Sequence, residues 1–92
     1  MNKQPTLHEV YSARARIKPL VVETPVLESA ELADRTGART VHLKLECLQN
    51  TGAFKVRGAA NKILSLSDEE KQKGVITFST GNHGKAVAYV AG

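Results

Sequence analysis

The pattern of polar and apolar positions predicts a helix near the start of the chain. Thr6 and Glu9 have the spacing of a capping box, in which each side chain binds a backbone N–H that the first turn of a helix leaves free. The helix is predicted over residues 7–17, and Pro19 ends it. Residues 21–27 are predicted to be extended, because the proline among them disfavours helical angles in the residue before it.

A second helix and a strand follow along the chain. Ser29 can cap a short helix over residues 30–36, and Gly37 is well placed to end that helix in the left-handed conformation. Residues 40–46 then alternate between apolar and polar side chains with a period of two, which is typical of a half-buried strand. This strand leads into the loop that precedes Lys55.

The next helix is predicted over residues 54–65, because its apolar side chains are spaced close to one helical face. These side chains are those of Val56, Ala59, Ala60, Ile63 and Leu64. Lys55 therefore lies near the N-terminus of a helix.

The last third of the chain is predicted to contain a turn of helix, a strand and a final helix. Ser67 and Glu70 form a second capping box, and Gly74 ends the short helix that they begin. Residues 75–78 are predicted to form a short buried strand, and the final helix should begin near Asn82. The order of elements is that of an α/β unit, in which crossover helices join parallel strands. Functional loops of such units lie at the carboxyl ends of the strands.

The composition fits a small piece of a cytoplasmic protein. A chain of 92 residues has little room to enclose a cofactor, and residues 85–92 have the pattern of an unfinished helix. We therefore expect residues 1–92 to be a single incomplete α/β segment of a larger protein. No apolar stretch is long enough for a signal peptide or a membrane span. The lone Cys47 cannot form an internal disulfide, which fits a reducing compartment.

The net charge of +4 does not by itself indicate a nucleic-acid partner. The 13 lysines and arginines are scattered among nine acidic residues, and two tyrosines and two phenylalanines are too few for base stacking. The three histidines lack the paired spacing of metal ligands. We expect no nucleic acid, membrane or metal ion among the partners.

Lys55 is the first candidate for chemistry. Taken alone it has the pattern of a solvated helix lysine. A lysine at a helix N-terminus, however, faces the positive end of the helix dipole, which disfavours its own charge, and the nearby Arg57 should act in the same sense. An uncharged amine can attack a carbonyl, and a Schiff base with pyridoxal phosphate is the common outcome of that chemistry. Gly52 and Gly58 leave room for a bulky ligand.

The loop over residues 79–84 is the second candidate. It offers backbone N–H groups at a helix start, where a substrate carboxylate is readily held, and Asn82 can hydrogen-bond a phenolic oxygen. An equally good interpretation is an ordinary turn in which Ser79 or Asn82 only caps the helix. His83 fits either a hydrogen bond that stabilises the loop or a role in the chemistry.

These residues make up two motifs that occur in a fixed order. The first contains Gln49, Asn50, Thr51, Gly52, Phe54, Lys55, Arg57, Gly58 and Ala59, and the second contains Ser79, Gly81, Asn82, His83 and Gly84. With them the chain resembles the threonine and serine dehydratase family of fold-type II pyridoxal phosphate enzymes, which also includes serine racemase. The resemblance covers nearly the whole chain. It implies the N-terminal part of a tryptophan synthase β-like α/β fold, with strands and crossover helices, and a homo-oligomer when complete.

The resemblance also implies roles for individual residues. Lys55 is the Schiff-base lysine that moves the Cα proton, with Phe54 and Asn82 as further cofactor-binding residues. The substrate carboxylate pocket is lined by Ser79, Thr80, Gly81 and His83. The implied reaction removes water from a hydroxy amino acid of the threonine or serine type and yields a 2-oxo acid and ammonia. The residues that bind the cofactor phosphate and the pyridine nitrogen are expected beyond residue 92, so the isolated chain should be inactive.

Alternatives remain open within and beyond this family. Val56 and His83 favour the dehydratases over the similar cysteine synthases, while Thr80 stands where serine racemase has its second base and leaves racemisation open. Ala53 replaces the serine usual before Phe54, which leaves the identity of the substrate open. A small α/β domain that keeps the motifs and only binds a ligand or partner is the alternative outside enzymes.

Overall fold

The computed structural model describes residues 3–79 and 81–92 of the chain. Five helices and two strands are present in these residues. Their bounds are α1 Leu7–Ile17, β1 Val26–Glu28, α2 Ala30–Thr36, β2 His42–Lys44, α3 Lys55–Leu64, α4 Asp68–Gln72 and α5 Asn82–Ala91. Three short 3-10 turns connect them, at Lys18–Leu20, Glu46–Leu48 and Asn50–Gly52.

Side-chain caps fix the ends of the first helices where the sequence predicts them. Thr6 and Glu9 form both hydrogen bonds of the capping box at the start of α1. Ser29 accepts a hydrogen bond from the N–H of Leu32 at the start of α2, and Gly37 ends that helix with a φ of 74°. The predicted ranges of both helices are confirmed.

The two strands pair antiparallel in a single small sheet. Val26 lies opposite Lys44, and Glu28 lies opposite His42. The strand predicted over residues 40–46 is thus present, but it is shortened to three residues. None of the helices in the described part of the chain is long and apolar enough to cross a membrane.

The buried strand predicted over residues 75–78 is wrong for this structure. The segment has no regular secondary structure, and Ile76 and Phe78 are 99% and 98% exposed. A strand needs a hydrogen-bonded neighbour, and none of the described residues pairs with this segment. The helix α4 before it and the helix α5 after it are nevertheless formed as the sequence predicts.

The apolar core is small and lies mainly between α3 and α5. Val56 and Ala59 of α3 are buried against Ala86 of α5, with Val21 and Val87 packed around them. Alanine side chains let two helices approach closely. The packing therefore brings the first residues of α3 and α5, where the two sequence motifs lie, to one side of the molecule.

Candidate active site between two helix starts

An open cleft lies where α3 and α5 begin. Its volume is about 650 Å³, within the range of about 300–1,000 Å³ that ligand sites occupy. The lining residues are Lys55, Phe78, Ser79, Gly81, Asn82 and His83. The structure therefore brings the lysine of the first motif and most of the second motif together in one site.

Lys55 is the first residue of α3 and is exposed to the cleft. Its Nζ atom lies 5.3 Å from the centre of the Phe54 ring, which is within the range of a cation–π contact. Phe54 is 60% exposed and is not among the residues that line the cleft. The cofactor-binding role expected for Phe54 stays a prediction.

A side chain holds the loop before α5 in place. The N-cap of α5 is Gly81, and no side-chain cap hydrogen bond is formed at this helix start within residues 3–79 and 81–92. The Ser79 hydroxyl accepts a hydrogen bond from the backbone N–H of Gly81 at 3.2 Å, so Ser79 has a local structural contact, and its role at a substrate carboxylate stays a prediction. A Cβ atom at Gly84 would lie 3.4 Å from that of Ser79, so glycine provides the room for this approach. Thr80 lies outside the described residues.

Asn82 and His83 are exposed at the start of α5. Both line the cleft, and His83 also borders a second groove of about 490 Å³ between α3 and the segment before α5. The side chains of both residues are therefore accessible to a ligand in the cleft.

Arg57 has a carboxylate partner that the sequence analysis did not predict. Its guanidinium group is paired with Glu46, with 2.5 Å from Nε to Oε1 and 3.1 Å from Nη2 to Oε2. The hydrogen bond from Arg57 lowers the pKa of Glu46 from 4.5 to about 2, and the bond to Glu46 raises the pKa of Arg57. The charge of Arg57 is therefore balanced by a carboxylate. Sequence reasoning missed Glu46, since a pair separated by 11 positions depends on tertiary packing.

Known proteins are similar to this chain over nearly its whole length. An L-threo-3-hydroxyaspartate ammonia-lyase from Saccharomyces cerevisiae is 52% identical over 87 residues, which cover 95% of this chain and 26% of the relative. A catabolic L-threonine dehydratase from Staphylococcus aureus is 48% identical over 86 residues, covering 94% and 25%. The chain therefore spans about a quarter of the length of these relatives.

A solved structure gives the same picture at the level of the backbone. The serine racemase from Dictyostelium discoideum superimposes with a TM-score of 0.86 at 44% identity, covering 94% of this chain and 28% of that protein. This confirms the predicted fold class, the N-terminal part of a fold-type II α/β enzyme. The family model described as pyridoxal-phosphate dependent enzyme matches residues 17–92. The chain thus belongs to the family of pyridoxal-phosphate dependent enzymes.

Proposed function

We propose that the complete protein containing this chain is a pyridoxal phosphate-dependent ammonia-lyase. Its reaction would remove water from a hydroxy amino acid of the threonine or serine type, leaving a 2-oxo acid and ammonia. The observation that carries the proposal is the shared cleft of Lys55 and the loop before α5. The names of the ammonia-lyase and dehydratase relatives support the same reaction type.

The residues of the cleft fit the cofactor that the family uses. The cleft offers one amine at Lys55 and an amide at Asn82. An amine can hold an aldehyde, and an amide can hydrogen-bond a phenolic oxygen. When bound, pyridoxal phosphate supplies an electron sink that stabilises negative charge at the Cα atom of an amino acid.

In this proposal Lys55 has two tasks. Its Nζ atom, exposed at the start of α3, would hold the cofactor. The same amine would be the base that takes the proton from Cα of the substrate. A flexible side chain on a fixed helix end suits both tasks, because the amine can move while its backbone stays in place.

The start of α5 would hold the substrate carboxylate. Among the described residues, no side chain caps this helix and only the Gly81 N–H is bonded to a side chain, that of Ser79, so the first N–H groups inside the helix can face an anion at the positive end of the helix dipole. We assign Ser79, Gly81 and His83 to this subsite and Asn82 to the phenolic oxygen of the cofactor. The role expected for Thr80 stays a prediction. So do the cytoplasmic location and the homo-oligomeric state expected for the complete protein.

The deciding experiment traps the cofactor on the complete protein. Borohydride reduction followed by peptide mapping should place a pyridoxyl label on Lys55. The variant Lys55→Ala should lose both label and turnover, whereas Lys62→Ala, which removes another exposed lysine of the same helix, should keep both. An unlabelled Lys55 in folded protein, or turnover by Lys55→Ala, would favour a non-catalytic binding domain instead.

Racemisation is the second candidate, because the structurally similar Dictyostelium discoideum protein is a serine racemase. Both reactions begin with removal of the Cα proton, so label at Lys55 does not separate them. Incubation with L-serine and with L-threonine separates them by product. We expect 2-oxo acid and ammonia in excess, while D-serine as the main product would favour the racemase.

A further inference from the structure

Side chains attach the segment before β1 to the loop that leads to Lys55. Gln49 is only 4% exposed, and its amide pairs with both backbone groups of Val22. It accepts from the Val22 N–H at 2.6 Å and donates to the Val22 carbonyl oxygen at 2.9 Å. One residue further on, the Asn50 amide donates to the carbonyl oxygen of Leu20 at 2.9 Å. The two segments are therefore joined as neighbouring strands would be, but by side chains.

Glu46 lies at the centre of these contacts. Besides the two bonds from Arg57, its carboxylate accepts one from the Thr24 hydroxyl at 2.5 Å and one from the Gln49 amide at 3.4 Å. Thr24 is 3% exposed. We call these four residues, Thr24, Glu46, Gln49 and Arg57, the polar cluster. A single carboxylate thus satisfies donors from three separate parts of the chain.

Two residues of the polar cluster lie at the two ends of the loop before Lys55. Gln49 directly precedes this loop, and Arg57 lies in the first turn of α3, two residues after Lys55. Between them Thr51 and Gly52 adopt left-handed backbone angles, with φ values of 68° and 82°. A β-branched residue is rare in this region and persists only where the surrounding structure holds it. The loop therefore depends on fixed points at both of its ends.

Among the described residues, the side-chain hydrogen bonds at the start of α3 are those of Arg57. Its N-cap, Phe54, makes no side-chain cap hydrogen bond. The Arg57–Glu46 pair is thus the polar anchor of the first turn of α3, beside the apolar packing of Val56 against Ala86. This pair is partly buried, since 35% of the Arg57 side chain and 18% of that of Glu46 are exposed. Ion pairs withdrawn from water add little net stability, because desolvation offsets their attraction, but they can fix one arrangement against others.

We propose that Glu46 is a positioning residue for Lys55. Through Gln49 and Arg57 it fixes both ends of the loop and so sets the direction from which the lysine amine enters the cleft. Glu46 itself does not line the cleft and contacts no reacting atom. The inference rests on the proposed function, because it takes Lys55 as the residue that holds the cofactor and moves the proton.

The test compares Glu46→Gln with a matched control in the complete protein. Glutamine keeps the size of the side chain and can still accept from Thr24, but it loses the ionic bond to Arg57. The control Glu31→Gln removes the carboxylate of an exposed pair with Arg35 on α2, outside the polar cluster. For each protein, the borohydride-labelled fraction of Lys55, kcat per labelled Lys55, KM and the circular dichroism of the bound cofactor are measured.

A positioning role predicts a specific combination of results. Glu46→Gln should still be labelled at Lys55, with kcat per labelled site reduced by on the order of 100-fold, the loss that a displacement of about 1 Å can cause. The circular dichroism of its cofactor should change, because that signal reports orientation. Arg57→Lys, which keeps the charge but loses the paired geometry, should change both quantities in the same direction by less. Glu31→Gln should match the wild type.

Other results would overturn the inference. A purely structural role would lower the labelled fraction of Glu46→Gln and leave kcat per labelled site and the circular dichroism unchanged. If Glu46→Gln yields no folded protein, Arg57→Lys decides by the same two readouts. If the wild type is labelled at Lys55 and active, and Glu46→Gln and Arg57→Lys behave like it, only this inference is wrong. If Lys55 of the wild type is not labelled, the proposed function is wrong as well.

Discussion

Glu46 is the residue near the candidate site whose pKa is most clearly shifted by its neighbours. Its carboxylate is about four-fifths buried, since 18% of the side chain is exposed, and it faces the guanidinium group of Arg57. The hydrogen bond from Arg57 is the main reason that the pKa of Glu46 falls to about 2. At neutral pH the carboxylate is therefore ionised and the polar cluster is complete.

The lowered pKa predicts how the stability of the complete protein depends on pH. A carboxyl group whose pKa is lower in the folded state stabilises the protein above its ordinary pKa, here 4.5, and the contribution is lost as pH falls toward about 2. The difference in free energy of unfolding between the wild type and Glu46→Gln should thus be constant above about pH 5.5 and shrink below about pH 4.5. Urea unfolding at a series of pH values measures it.

Glu31→Gln again serves as the control for this measurement. Its pair with Arg35 is largely exposed, so the substitution should change the free energy of unfolding by about 0.5 kcal/mol or less at neutral pH. A Glu46→Gln difference that stays the same from about pH 6 to about pH 3 would show that the ionised carboxylate does not contribute in the way the geometry indicates.

At the scale of helices and strands, local sequence signals account for most of the fold. The helices α1, α2 and α4 are set by capping residues, which act through hydrogen bonds within three positions and so are visible in the sequence. The strand predicted over residues 75–78 was wrong for this structure, because a strand must pair with a neighbour and no local sequence pattern specifies that neighbour. The pairing of Arg57 with Glu46 was missed for the same reason.

The sequence pointed to most of the residues that line the cleft but not to Phe78, and it did not show how they are assembled. The α/β order of elements places loops after neighbouring parallel strands together. In the described residues the same two loops meet because α3 packs on α5 through Val56, Ala59 and Ala86. The glycines and polar residues of the two loops thus identified them in the sequence. The two loops lie close together because small side chains of α3 and α5 pack against each other.

Gly37 allows a direct test of whether a single residue sets the end of α2. Its φ of 74° is unfavourable for residues with a Cβ atom, and a Cβ placed there would meet no atom within 4 Å. The cost of Gly37→Ala is therefore conformational, about 1 kcal/mol of unfolding free energy in the complete protein. Gly37→Asn should cost less, because asparagine tolerates this conformation. Equal effects of the two variants in urea unfolding would contradict this explanation.

At the scale of the whole molecule, the segment over residues 75–78 is the clearest sign that part of the structure lies outside this chain. Ile76 and Phe78 are almost completely exposed, although burial of each such side chain stabilises a protein by about 1.5–3 kcal/mol. A short run of apolar residues is typical of a strand buried on both faces in a parallel sheet. The relatives are about four times as long as this chain, which leaves ample sequence to supply the neighbouring strands.

We therefore expect residues 75–78 to be a paired and buried strand in the complete protein. Amide hydrogen exchange followed by mass spectrometry measures this directly, because a peptide that covers the segment should exchange about as slowly as one that covers α3. A peptide over residues 37–41, which connect α2 to β2, provides the fast reference. If residues 75–78 exchange as fast as that connection, the segment is unpaired in the complete protein too. In that case the packing of α3 on α5, rather than a central strand, holds the loop before Asn82 at the cleft.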